Sequence, residues 1–100
     1  MSTPKAPAGH FTILYFAAAS SYTRKDHDFL PAPLAFHMLF DVLDQKYPGL
    51  REKVLDSSAV TVNLEYVDME EEVAKKDRAD GSLALKEGDE VGIIPPVSSG

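Results

Sequence analysis

A chain of 100 residues with 16 acidic and 10 basic side chains, a formal charge of -6 and 44% hydrophobic residues has room for one hydrophobic core and no second domain. The acidic excess argues against nucleic acid as a partner, because a phosphate backbone selects Lys/Arg patches, and no stretch is long and apolar enough to span a membrane. Cysteine is absent, which removes disulfides, thiolate nucleophiles and cysteine-based metal sites and is compatible with a reducing, cytoplasmic location.

The opening MSTPKAPAG is rich in Pro and Ala without a long apolar core, so residues 1–9 are expected to be a disordered lead-in and not a signal peptide. In HFTILYFAAAS, Phe11, Ile13, Tyr15 and Ala17 fall on one face and Thr12, Leu14, Phe16 and Ala18 on the other. Both faces are apolar, which predicts a central strand covered on both sides, or covered on one and waiting for a partner on the other. SSYTRKDHD then reads as a polar hairpin connection, and HDFLP as a short second strand ended by Pro31.

From Pro33 the period changes: Phe36, Leu39, Phe40, Leu43 and Tyr47 lie on one helical stripe, with His37, Asp41, Asp44 and Lys46 on the solvated side. Pro33 suits a first helical position, and Pro48 and Gly49 suit its end, the first by biasing Tyr47 out of the helix and the second by accepting a left-handed conformation. After a linker, REKVLDSS, the alternation of Val60, Val62, Leu64 and Tyr66 with Thr61, Asn63 and Glu65 predicts a strand buried on one face. MEEEVAKKDRADG is nearly all charge and reads as a surface excursion. SLAL gives a short strand, KEGDE a turn, and VGII a final strand with Val91 and Ile93 on one face.

Two strands, a crossover helix and a returning set predict an α+β roll: a mixed sheet of about four to five strands wrapped on one main helix, with the first and last strands parallel at its centre. This is the order of a β-grasp, or ubiquitin-like, fold, placed over residues 10–97, with 98–100 as an extended tail. Pro95 and Pro96 donate no N–H and fix φ, so they stop sheet pairing and launch a semi-rigid segment through Val97 to Ser98, Ser99 and Gly100. Small residues there suit threading into a narrow channel, and Gly100 lets backbone approach reacting groups closely.

FTILYFA, KYPGL, VTVNLEYV and above all the closing LALKEGDEVGIIPPVSSG resemble the small subunits of molybdopterin synthase, the MoaD-type sulfur carriers. The resemblance covers Phe11 to Gly100 and is most specific in GDEV followed by IIPPV and a final glycine. It implies a non-catalytic carrier whose Gly100 carboxyl is joined to AMP by an adenylating and sulfurating enzyme, converted to a thiocarboxylate, and used to deliver sulfur to cyclic pyranopterin monophosphate. It also implies a large subunit that supplies the catalytic side chains, in a heterotetramer of two small and two large subunits. No bound cofactor is implied, only transient covalent AMP and sulfur at Gly100. The chain departs from the family in Ser99, where a second glycine is usual, and in a longer charged stretch between Asp68 and Ser82. Ser99 is expected to slow activation or to meet a roomier channel.

One helix covers one side of a sheet, so an apolar patch is expected on the other, formed by Leu14 and Phe16 or by Ile13 and Tyr15; Leu14, Phe16 and Ile94 are the expected partner interface. The alternatives are a ubiquitin-related modifier that forms isopeptides, a carrier for tRNA thiolation, and a β-grasp binding module that is never activated. His10, His27 and His37 show no metal-binding spacing, the group Asp26, His27 and Asp28 reads as a hydrated loop, and no metal site is expected. Ser20, Ser21, Ser57 and Ser58 lack a nucleophile motif, and no phosphate-binding loop is present.

Overall fold

The apolar run that begins at Phe11 forms β1 (His10–Tyr15) in a computed structural model that describes residues 5–67 and 84–96. Its apolar character on both faces follows from its place. β1 pairs antiparallel with β2 (His27–Pro31) on one side and parallel with β7 (Glu90–Ile94) on the other. Beyond β7 stand β4 (Ala59–Val62) and β5 (Glu65–Tyr66), both antiparallel, so the five-stranded sheet runs β2-β1-β7-β4-β5. The expected parallel centre is present, with Ile13 opposite Val91 and Tyr15 opposite Ile93, and the architecture is the β-grasp roll.

The helical stripe is real but shorter than its spacing predicts. Phe36–Met38 is a 3-10 turn and α2 spans Leu39–Lys46. Phe36, Leu39 and Leu43 are buried against Phe11, Ile13, Val60, Val91 and Ile93, with Phe40 and Tyr47 half-buried at the margin. Pro33 does not open this helix. The residues after it form a two-residue strand, β3 (Leu34–Ala35), which pairs with β6 (Ala84–Leu85) in a separate two-stranded sheet. Of the predicted strand SLAL, the described Ala84 and Leu85 lie outside the main sheet, with Leu85 in the core.

Three further segments differ from the expectation. β1 stops at Tyr15, because Ala17 takes φ 50° and turns the chain; the alanines, good helix formers, then enter α1 (Ala18–Thr23). α1 closes with Arg24 in the left-handed region, its N–H donating to the Ser20 carbonyl at 2.8 Å. The linker 51–58 is instead mostly helical: α3 (Leu50–Lys53) and a 3-10 turn, Leu55–Ser57, which bring Leu50, Val54 and Leu55 into the core. The stretch VTVNLEYV is a hairpin and not one strand, turning at Asn63 and Leu64. The reversal puts Tyr66 beside Thr61, on the face opposite Val60.

Gly49, expected to close the helix, takes the left-handed conformation with φ 89° but as the residue that starts α3; α2 already closes at Tyr47, whose N–H donates to the Leu43 carbonyl at 2.8 Å. A Cβ there would stand 2.6 Å from the Tyr22 hydroxyl, which donates to the Pro48 carbonyl at 2.6 Å. Gly49→Ala should therefore cost about 1–3 kcal/mol in urea unfolding, from left-handed strain and the displaced hydrogen bond. Adding Tyr22→Phe should recover the steric part only.

Candidate functional site

β7 carries the chain to the point of interest. Val91 and Ile93 are fully buried on the helix side, while Gly92 and Ile94 lie on the opposite, outer face. Past Ile94 regular pairing stops at Pro95, which is buried, and Pro96 is exposed. Two residues without a backbone N–H cannot extend the ladder, so the chain leaves the sheet here. The parallel register places this exit at the same end of the sheet as Tyr15 and Phe16, and the Phe16 N–H donates to the Ile93 carbonyl at 3.2 Å. Val97, Ser98, Ser99 and Gly100 lie outside the described residues, as do residues 1–4 and the charged stretch 69–81.

The outer face holds the apolar patch, and it is the Leu14/Phe16 set that forms it. Ile13 and Tyr15 are buried beneath α2, whereas Phe16 is 46% exposed and Leu14 and Ile94 are half-buried. Together with Leu64, Tyr66 and Gly92 they line a shallow groove of about 220 Å³. Gly92 lines the groove without a side chain: a Cβ there would come 2.6 Å from Thr61 Oγ1, too close to fit, and would rest in ordinary contact with the Phe16 ring at 3.6 Å, so it is Thr61 that requires glycine at this position. Leu64 and Tyr66 are 84% and 74% exposed. The strand alternation concealed both, because a reversal at Asn63 and Leu64 turns an expected inner-face pair outward.

On the helix side of the same end sits a polar cluster that local sequence gave no sign of. Asp28, expected in a hydrated loop, is buried. Its Oδ2 accepts from the Tyr15 hydroxyl at 3.0 Å and from the Tyr47 hydroxyl, and the two rings meet edge to face at 6.2 Å. Lys25 and Lys46 approach Oδ1 at 3.4 and 3.8 Å. Burial opposes the charge on Asp28, but the hydrogen bonds from Tyr47 and Tyr15 and the ammonium groups of Lys46 and Lys25 outweigh it and hold the carboxyl below its ordinary range. Burial, and then the Asp28 charge, push the Tyr15 hydroxyl well above its own. Asp28 also draws the Lys25 ammonium up. All of its partners are accounted for within the fold, so this is a staple between β1, β2 and α2, and it holds the sheet end from which the chain departs.

Several other polar residues have partners of their own. His27 Nδ1 lies 2.8 Å from Asp26 Oδ1, with its ring against Phe29, and His10 Nδ1 lies 2.9 Å from the Ala8 carbonyl. Asp41 meets Arg51. The Gly9 N–H donates to Glu87, so residues next to β1 are tied to the turn before β7. Among the described residues no three His, Cys, Asp or Glu side chains stand close enough to hold a metal ion, and no described helix is long and apolar enough to cross a membrane.

Residues 13–100 match the model of the ThiS family. Over all 100 residues the chain is 57% identical to a protein of Pyrenophora tritici-repentis named molybdopterin synthase sulfur carrier subunit, with 100% of both chains covered. Among solved structures, SAMP1 from Haloferax volcanii superposes with a TM-score of 0.68 at 21% identity, covering 92% of this chain and 100% of that one. A chain in the complex of subunits 1 and 2 of molybdopterin-converting factor from Helicobacter pylori superposes with a TM-score of 0.58 at 22% identity, covering 91% and 99%. At such identities these two share the fold. The family follows from the match over residues 13–100 and from the full-length relative: the chain belongs to the ThiS family.

Proposed function

We propose that this chain is the sulfur-carrying small subunit of a cytoplasmic molybdopterin synthase, with the carboxyl group of Gly100 as its reactive group. The observation that carries the reading is the 57% identity, without uncovered segments, to a relative bearing that subunit's name. The exit of β7 through Pro95 and Pro96, beside an apolar groove, supports it.

A carboxylate is a poor electrophile, so oxygen cannot be exchanged for sulfur until it becomes part of a leaving group. On an activating enzyme, a Gly100 oxygen attacks the α-phosphorus of ATP and pyrophosphate departs. Hydrosulfide-level sulfur from the donor then adds to the acyl carbon, AMP leaves, and loss of the S–H proton yields a thiocarboxylate. In the large subunit that sulfur passes to cyclic pyranopterin monophosphate, two such transfers build the dithiolene, and water restores the carboxylate. The chain supplies no acid or base to these steps. It supplies a stiff lead-in, which limits the freedom lost when the tail enters a channel, and a surface on which the large subunit docks. The groove of Leu14, Phe16 and Ile94 is that surface, in an assembly of two small and two large subunits.

The test is the intact mass after incubation with ATP, the cognate activating enzyme and a sulfur donor. One oxygen-to-sulfur exchange, confined to the peptide containing Gly100, is expected. Adducts to lysines of other proteins would point to a modifier, and an unchanged mass would leave a binding module.

A further inference from the structure

Leu64 occupies a position that the isolated fold would give to another residue. A two-residue hairpin turn joins Val62 to Glu65, and both central residues have positive φ, 51° at Asn63 and 71° at Leu64. Such turns favour Asn followed by Gly, because glycine takes the second conformation without strain. Asn63 meets its half of that rule and is also locked in place. Its N–H donates to the Glu90 carbonyl at 2.7 Å, its Nδ2 to Asp89 Oδ1 at 3.2 Å, and its Oδ1 accepts from the Glu90 N–H at 3.0 Å. Leu64 fails the other half. It holds a strained backbone and exposes 84% of its surface to water, so glycine would serve the free chain better on both counts.

We propose that Leu64 is a rigid plug that inserts into an apolar pocket, rimmed by basic side chains, on the large subunit that also receives the tail. The proposal rests on the sulfur-carrier reading and adds a specificity-determining residue to it. Three observations select this occupant. The groove lined by Leu64 also contains Ile94, the residue before Pro95, so a protein seated on the plug meets the tail where it departs. The plug is followed by Glu65, shares its groove with Glu90, and adjoins Asn63, which is bonded to Asp89, a rim that calls for positive charge on the other side. A second copy of this chain, with its own charge of -6, would bring the same acids face to face.

Strain and docking predict opposite effects for one substitution. Leu64→Gly should leave the urea midpoint of the free chain at or above the parental value, while weakening its affinity for the large subunit by on the order of ten- to a hundredfold, the value of one well-buried leucine. Leu64→Asn, polar but tolerant of the left-handed region, should weaken docking as much. Titration calorimetry with the large subunit of the same organism reads both. Unchanged affinity in the variants overturns the plug, as does a loss confined to the activation step. A parental self-association, seen by sedimentation and lost in Leu64→Gly, would assign the plug to a second copy and overturn it equally. If the parent itself fails to bind the large subunit, the sulfur-carrier reading falls first.

Discussion

Removing Gly100 should abolish sulfur transfer and leave the fold intact. The truncated chain still ends in a carboxylate, that of Ser99, so the expected loss comes from position and not from missing chemistry. One residue of extended chain spans about 3.3–3.6 Å, and a reacting group misplaced by 1 Å already costs roughly 10²-fold. The new terminal residue also carries a Cβ and a hydroxyl where the parent has none. Rate loss in molybdopterin formation should therefore exceed about 10²-fold, with mass spectrometry showing little or no thiocarboxylate. Thermal unfolding controls for the trivial explanation: the core described around Phe11, Leu43 and Ile93 lies within residues that the deletion does not touch, so the melting temperature should match the parent. A truncated chain that still delivers sulfur at the parental rate would remove Gly100 from the mechanism.

What could be read without coordinates was whatever repeats at short range. The apolar runs of β1 and β7 declared two buried strands, and the 3.6-residue spacing from Phe36 to Tyr47 declared the helix that covers them. The uncovered patch followed by elimination, since one helix has one side to cover, and Leu14, Phe16 and Ile94 indeed line a common groove. What escaped depends on partners distant in the chain. β3 forms because Leu34 finds Leu85, and nothing near Pro33 announces that. The turn at Asn63 and Leu64 lacks the glycine that marks such hairpins; it is specified by bonds to Asp89 and Glu90, 26 and 27 residues away. α3 is four residues long, too short for any periodicity to show. Asp28 looked like one charge in a charged loop because its two tyrosines stand 13 and 19 residues off on different elements.

Asp28→Asn should be the most damaging conservative change in the described fold. The amide keeps the shape but gives up the charge that both tyrosine hydroxyls and two ammonium groups address. Hydrogen bonds to a charged acceptor are each worth about 1.5–3 kcal/mol, and the amide retains part of them, so a net loss of about 2 kcal/mol is expected. For a chain of this size that lowers the melting temperature by on the order of 10 °C. The pH dependence identifies the cause. In the folded chain Asp28 stays charged to lower pH than in the unfolded chain, where an aspartate titrates near about 3.9. Between those two values the unfolded state binds more protons, so stability falls as the solution is acidified, and the contribution is complete only above about pH 5. The asparagine variant should lack that part of the acid loss. Tyr15 acts in the opposite direction: its hydroxyl is raised by burial first and by Asp28 second, so above about pH 10, where unfolded tyrosine ionises, stability falls as pH rises. Because burial survives the substitution, the alkaline loss should persist in a reduced form. Urea unfolding across pH separates these contributions, and a variant whose acid limb matches the parent's would show that Asp28 is not the carboxylate that holds β1, β2 and α2 together at the end where the tail begins.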